Sequence, residues 1–277
     1  MVLVTGATGK TGRRVVRLLE ERGVAHRAVS RASAIRFDWE DRSTWDAALE
    51  GVTSMYLVLA YLDDTDAAEA IAELARRAAA AGVRRAVLLS TPKIGEQGHA
   101  TEQALEAAGI ESTVLRLRWF FQNFSEDFLL HPILSGELRL AAGDGLEGFV
   151  DAEDIAEVAV AALTEAGHAG EVYELTGPRL MSFGDAVAEI AKATGNDIRY
   201  EAFTSEAFVA EQIASGVPEE FAQVLAGVTE QMRSGRFASL TGDVERVLGR
   251  PPRDFADYAR ETAAQGAWQV PPAAQDT

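Results

Sequence analysis

Three glycines near the start of the chain, Gly6, Gly9 and Gly12, have the spacing of a loop that binds phosphate. Gly6 lets the chain leave a strand in a conformation that a side chain would forbid, and Gly9 lets the backbone approach a pyrophosphate. Gly12 lets the following helix pack close to the sheet. The N–H groups in the first turn of that helix then face the phosphates, and the helix dipole favours their negative charge.

The residues on either side of these glycines have the patterns of a strand and a helix. Residues 2–4 form a short apolar run, and apolar residues recur at helical spacing over 13–19. This context distinguishes the opening of a dinucleotide-binding βαβ unit from an ordinary glycine turn. We therefore predict that Thr8, Lys10 and Thr11 bind the cofactor together with the three glycines.

The end of the second predicted strand, residues 25–30, indicates which dinucleotide binds. An acidic residue there would hydrogen-bond the ribose of NAD, whereas an arginine accommodates the 2′-phosphate of NADP. This chain has Ser30 and Arg31 and no acid. Residues 1–37 also hold eight Lys or Arg against two Glu, a net charge of +6 in a chain of net −17, so the other residues carry −23. We predict NADP(H), although some of these arginines would also suit the solvated face of a helix.

Strands and helices alternate along the first part of the chain. Further strands are predicted at residues 35–37, 54–60, 85–90 and 112–116. This alternation predicts an α/β fold, a Rossmann-type doubly wound parallel sheet. We assign residues 1–150 to an NADP-binding domain. Residues 151–277 are assigned to a smaller, mostly helical substrate lobe, some of whose segments return to the sheet.

Ligands of such sheets bind beyond the carboxyl ends of the strands, so the residues that follow the predicted strands complete the expected site. Asp38 follows one of them, where it either borders the adenine or caps a helix. Ala60 and Ser90 end the next two strands and border the expected nicotinamide site.

Two later segments are candidates for contact with a substrate. Trp119, Phe120, Phe121 and Asn123 follow a strand, and such aromatic residues form either the core or the wall of a flat apolar pocket. We expect at least one ring to stack on a planar substrate and Asn123 to hydrogen-bond its edge. The acidic, helical residues 204–234 either close over the substrate as a lid or complete the core.

The chain resembles the NmrA-like atypical short-chain dehydrogenases over about residues 1–260. The resemblance rests on segments 4–12, 30–31, 115–124, 149–156 and 175–178. Segments 37–41, 123–126 and 249–252 are most similar to the fungal ergot-alkaloid dehydrogenases, which reduce a cyclic iminium. The resemblance implies an NADPH-dependent reductase, with a role in secondary metabolism. Other relatives in this group include quinone reductases and a cofactor-binding transcriptional co-regulator.

The chain departs from typical short-chain dehydrogenases in its proton donor. Those enzymes use a tyrosine four residues before a lysine, but the residues four before Lys10, Lys93 and Lys192 are Gly6, Leu89 and Ala188. An iminium accepts hydride without protonation, and a quinone can take its proton from solvent. The missing pair therefore favours these electrophiles over a simple ketone.

Three residues remain as candidate proton donors: Tyr61, Lys93 and His99. The first two lie beyond predicted strands, and His99 begins a predicted helix, where it would otherwise pack or cap. We predict an NADPH-dependent reductase of a conjugated electrophile such as a cyclic imine or iminium, a quinone or an enone. The alternatives are an NADP-sensing regulatory protein without turnover and a non-redox cyclase or isomerase on the same scaffold.

Composition limits the partners. A net charge of −17 argues against nucleic acid and anionic membrane, and a chain without cysteine has no disulfide or thiolate metal site. No His or acid spacing suggests a metal site. We find no signal segment and no apolar run of the ~20 residues that span a bilayer. We expect a cytoplasmic monomer or homodimer that binds a small-molecule substrate, with a frayed tail from residue 263.

Overall fold

The computed structural model describes residues 1–59, 64–90 and 100–269. Within them, six parallel strands form one sheet in the order β2-β1-β3-β4-β5-β7, and β6 pairs with β8 in a second, two-stranded parallel sheet. The strands are β1 (Val2–Val4), β2 (His26–Ala28), β3 (Ser54–Val58), β4 (Arg85–Ser90), β5 (Glu111–Arg116), β6 (Glu137–Leu140), β7 (Val172–Glu174) and β8 (Arg199–Ala202). The predicted α/β fold with a Rossmann-type parallel sheet is confirmed.

Helices lie between these strands and after the last of them. They are α1 (Gly12–Glu21), α2 (Trp45–Leu49), α3 (Asp64–Ala81), α4 (Ala100–Ala107), α5 (Asn123–Glu126), α6 (Leu130–Ser135), α7 (Ala152–Thr164), α8 (Phe183–Thr194), α9 (Ser205–Ala214), α10 (Glu219–Arg233), α11 (Asp243–Leu248) and α12 (Phe255–Ala264). In the part of the chain that the structure describes, no helix combines the length and the apolar character needed to cross a membrane.

The described chain forms two compact units. The first contains residues 1–118, 152–175 and 241–251, and the second contains 119–151, 176–240 and the described residues from Pro252 on. This division differs from a single boundary at residue 150. The reason is packing, because α7 lies against β3, β4 and β5 in the first unit. The aromatic segment that precedes α7 contributes instead to the core of the second unit.

The first unit is a sheet covered on both faces. Leu3, Met55 and Leu88 are fully buried in a core that also contains residues of α2, α3 and α4. Val4 and Tyr56 are the next residues on two of these strands, so their side chains lie on the opposite face of the sheet. Both are also fully buried. Burial on both faces explains why these strands are continuous apolar runs rather than alternating ones.

Two local expectations were wrong and one was confirmed. Residues 35–37 form a loop rather than a strand, because the Phe37 N–H donates to the Ser30 carbonyl at 3.0 Å and satisfies the backbone within the loop. Residues 204–234 are helical as predicted, in two helices, α9 and α10, between which Gly216 adopts a positive φ of 88°. The chain after residue 263 is not frayed as far as it is described: Trp268 is buried and its indole N–H donates to the Phe124 carbonyl.

Candidate functional site

The glycine turn between β1 and α1 folds closely on itself. Gly6 has a φ of +59°, and its carbonyl accepts the Gly9 N–H at 2.9 Å. A Cβ built on Gly12 would lie 2.1 Å from the Gly6 carbonyl oxygen and 3.0 Å from the Ala7 Cα. Such a distance is far inside van der Waals contact, so Gly12 is required by the backbone of the turn itself.

The start of α1 presents backbone amides that can bind a ligand. Thr11 precedes the helix, its side chain makes no capping hydrogen bond, and the first turn holds no acidic residue. The amides of Thr8, Thr11 and Gly12 donate to no acceptor among the residues that the structure describes. A helix terminus ordinarily has such groups satisfied by a cap, by water or by a ligand. Uncapped amides at the positive end of a helix dipole fit a pyrophosphate.

Most arginines of the basic segment are held by other parts of the first unit. Arg14 and Arg17 both pair with Glu153 of α7, the former at 2.9 Å. Arg27 donates to the Ala48 carbonyl at the end of α2 at 2.7 Å. The positive charge of this segment therefore serves mainly to fix helices.

Arg31 differs from these arginines. Its side chain is exposed. No carboxylate pairs with it within the described ranges. The preceding residue is fixed, because the Ser30 N–H donates to the Ser33 hydroxyl at 2.8 Å and the Ser30 hydroxyl accepts the Ala32 N–H. A guanidinium held on an ordered turn and open to solvent suits a phosphate ligand.

Asp38 is bound by its own loop. Its carboxylate accepts from the Arg36 guanidinium at 2.7 Å and from the Glu40 amide at 3.2 Å. The Arg36 hydrogen bond holds the pKa of Asp38 below its ordinary value, so the group is ionised at neutral pH. Its role at the adenine, predicted from sequence, stays a prediction.

The carboxyl ends of β4 and β5 hold a buried ion pair that sequence reasoning missed. Ser90 ends β4 and is paired in register with Arg116, which ends β5. Arg116 donates to the Glu102 carboxylate at 2.8 Å and 3.0 Å, and both side chains are largely buried. The sequence did contain a signal for this pair. Arg116 ends a predicted strand, and Glu102 lies in the first turn of the helix that precedes that strand.

In the second unit, the predicted pocket residues divide between core and surface. Trp119 and Phe121 are 8% and 1% exposed, and their rings lie 5.0 Å from Phe183 and 4.9 Å from Phe255 respectively. Phe120 is half-buried, and its amide donates to the Asn123 side-chain oxygen at 2.7 Å. Of the three rings, that of Phe120 is therefore the most open to a ligand. The other predicted residues, Ala60, Tyr61, Lys93 and His99, lie outside the described residues.

Comparison with known proteins identifies the family, since residues 1–258 match the NmrA-like family model. The chain belongs to the NmrA-like family. It is 32% identical to festuclavine synthase II of Penicillium roqueforti, covering 93% of this chain and 96% of that protein. It is 31% identical to an NAD(P)H azoreductase of Xenophilus azovorans, covering 95% and 98% of the two chains.

A solved structure is also similar to this NmrA-like protein. It is the NADPH-dependent quinone oxidoreductase QOR2 of Escherichia coli, complexed with NADPH, with a TM-score of 0.80 and 25% identity. The similarity covers 94% of this chain and 99% of the other. The resemblance to the ergot-alkaloid branch that segments 37–41, 123–126 and 249–252 suggested is thus confirmed at the level of family and relatives.

Proposed function

We propose that this protein is an NADPH-dependent reductase that transfers hydride to a small conjugated electrophile, such as a cyclic imine or iminium, a quinone or an enone. At the coarser level it is an NAD(P)H-dependent oxidoreductase of the atypical short-chain dehydrogenase type. One observation carries the proposal: uncapped amides at the start of α1 lie in the same unit as the exposed Arg31.

The uncapped amides suit the pyrophosphate of NADPH, and Arg31 suits its 2′-phosphate. The amides of Thr8, Thr11 and Gly12 would donate to the pyrophosphate, and the Arg31 guanidinium would bind the 2′-phosphate. Lys10 is half-buried beside these amides and would add positive charge. NADPH, when bound, would supply the hydride, and these residues would hold and orient the cofactor.

The choice of electrophile is supported by the missing Tyr-Lys pair and by the relatives. Within the described residues, Lys192 lies in the last turn of α8 in the second unit, and Lys10 lies in the glycine turn. Neither has a tyrosine four residues earlier. The names of the relatives specify an azo compound, a quinone and festuclavine. Quinone and azo acceptors can take their proton from water, and an iminium needs none, so reduction requires no protein acid.

The second unit supplies candidate substrate contacts. We propose that Phe120 stacks on a planar substrate and that α10 covers it, because Phe221 and Val224 on that helix are 52% and 58% exposed. Phe208 of α9 is buried in the core, so removing the whole helical segment would also damage the fold. Serine substitutions at Phe221 and Val224 test the covering role more cleanly, since they should raise the KM for an apolar substrate without changing the NADPH Kd.

The activity is tested by NADPH oxidation with a panel of a benzoquinone, a cyclic iminium, an azo dye, an enone and a simple ketone. We expect turnover with at least one of the first four and none with the ketone. With the iminium or the enone, deuteride transfer from labelled NADPH to a product carbon excludes indirect oxidation, because a C–D bond does not exchange with water. NADPH binding without turnover on any acceptor would favour the regulatory role, and rearrangement without NADPH consumption would favour a cyclase or isomerase.

A further inference from the structure

Gln122 ties the turn that carries Phe120 to a neighbouring segment of the second unit. Phe120 forms a parallel bridge with Val150. The side-chain amide of Gln122 donates to the carboxylate of the next residue, Asp151, at 2.7 Å. Gln122 and Asp151 are each 1% exposed. A hydrogen bond to a buried carboxylate is among the stronger ones in proteins, so the Gln122 side chain is held in one place.

The other oxygen of the Asp151 carboxylate is fixed as well. It accepts a hydrogen bond from Nε of Arg253 at 2.7 Å, and Arg253 also pairs with Glu261 of α12. Burial alone lowers the pKa of Arg253, but the charge of Asp151 outweighs burial and the pKa stays above its ordinary value. The carboxylate therefore faces a permanent positive charge. It cannot turn away from Gln122 without giving up this charged contact.

The backbone of Phe120 is bound within the turn that contains Gln122. The Phe120 N–H donates to the Asn123 side-chain oxygen at 2.7 Å, and the Phe120 carbonyl accepts the Asn123 N–H at 3.1 Å. The Gln122 carbonyl accepts the Glu126 N–H at 2.9 Å at the start of α5. The turn is thus closed at both ends, and the Gln122 side chain fixes it against the segment that ends at Asp151. The direction in which the Phe120 ring leaves the backbone follows from that attachment.

The proposed function gives this attachment a consequence. Hydride transfer requires the reacting atoms to be aligned, and a misplacement of about 1 Å can cost about a hundredfold in rate. A ring that packs on a planar acceptor must therefore be held at one angle. We propose, resting on the proposed function, that Gln122 is a positioning residue. Through its hydrogen bond to Asp151 it holds the Phe120 turn, so that the Phe120 ring keeps a planar acceptor aligned for reduction.

The substitution Gln122→Met keeps the length of the side chain and removes its hydrogen-bond donor. We expect kcat for the best acceptor of the panel to fall about tenfold, because the Phe120 ring is still present but no longer held at one angle. The KM and the NADPH Kd should each change by less than about twofold, since alignment and not ground-state binding is lost. Because Gln122 acts through Phe120, the loss should disappear in the Phe120→Leu background.

Tyr200→Phe is the matched control. It removes another side-chain hydrogen bond of the second unit, which the Tyr200 hydroxyl donates to the Gly143 carbonyl at 2.9 Å. Both substitutions should lower the free energy of unfolding in urea, but only Gln122→Met should lower kcat. Fluorine NMR with para-fluorophenylalanine in place of Phe120 reports on the ring itself. Its resonance should shift or broaden in Gln122→Met and stay unchanged in Tyr200→Phe.

The outcomes separate this role from the reductase activity. An unchanged kcat in Gln122→Met would overturn the positioning role, as would a loss that persists in the Phe120→Leu background. If the wild-type protein reduces no acceptor, the reductase proposal fails, and the fluorine resonance still decides whether Gln122 holds the ring: the wild-type resonance in Gln122→Met would overturn it. Should Gln122→Met not fold, Gln122→Asn gives the same readouts, because its amide is one methylene shorter and does not reach Asp151.

Discussion

Substitution of Gly12 by alanine tests the geometry of the phosphate turn. The new Cβ would lie 2.1 Å from the Gly6 carbonyl oxygen, against an ordinary contact of at least 3.4 Å, so the turn must open by about 1.3 Å. The clash is with backbone, which cannot rotate away. Overpacking of this kind costs about 1–3 kcal/mol. The higher helix propensity of alanine offsets at most ~1 kcal/mol of this cost. We therefore expect a net loss of about 1–2 kcal/mol in the free energy of unfolding.

The same movement should damage cofactor binding. The uncapped amides of Thr11 and Gly12 are displaced when the turn opens, and each hydrogen bond to a charged phosphate contributes roughly 1.5–3 kcal/mol. We therefore expect Gly12→Ala to weaken NADPH binding by at least about tenfold. Urea unfolding and isothermal titration calorimetry measure the two effects separately.

Gly227 provides a matched control. It lies inside α10 with an exposed position, and a Cβ built on it meets nothing within 4 Å. Gly227→Ala should therefore stabilise the protein by up to ~1 kcal/mol, with NADPH binding unchanged. If Gly12→Ala behaves like this control in both assays, the turn does not have the close approach described and is not the phosphate site.

Three further predictions follow from other parts of the structure. Arg31→Ala should weaken NADPH binding about tenfold to a hundredfold and leave NADH unchanged in titrations; equal affinities for both would exclude a 2′-phosphate contact. Phe120→Leu should lower kcat/KM without changing the free energy of unfolding, whereas Trp119→Leu should lower the free energy of unfolding by ~1–3 kcal/mol. Arg179 lowers the pKa of Asp254, so this carboxylate stabilises the fold above its ordinary pKa and the effect is lost as pH falls through the lowered value. Asp254→Asn should cost about 1 kcal/mol at pH 7 and nothing at strongly acidic pH in urea titrations.

The sequence alone predicted features that depend on a few neighbouring residues. A short apolar run, spaced glycines and helical periodicity define a strand, a turn and a helix, because backbone conformation and local hydrogen bonds follow from residues close along the chain. The positive φ of Gly6 and the left-handed end of α8 at Gly195 are both of this kind. The same local patterns, repeated, were sufficient for the parallel α/β fold.

Only the tertiary structure decided which partners these side chains meet. Arg14 pairs with Glu153, which is 139 residues away, whereas Arg31 of the same basic segment has an exposed side chain. The adjacent rings of Phe120 and Phe121 differ in the same way, since one is half-buried and the other lies in the core. Burial and charge pairing depend on residues that folding brings together from distant parts of the chain, and no local pattern records them.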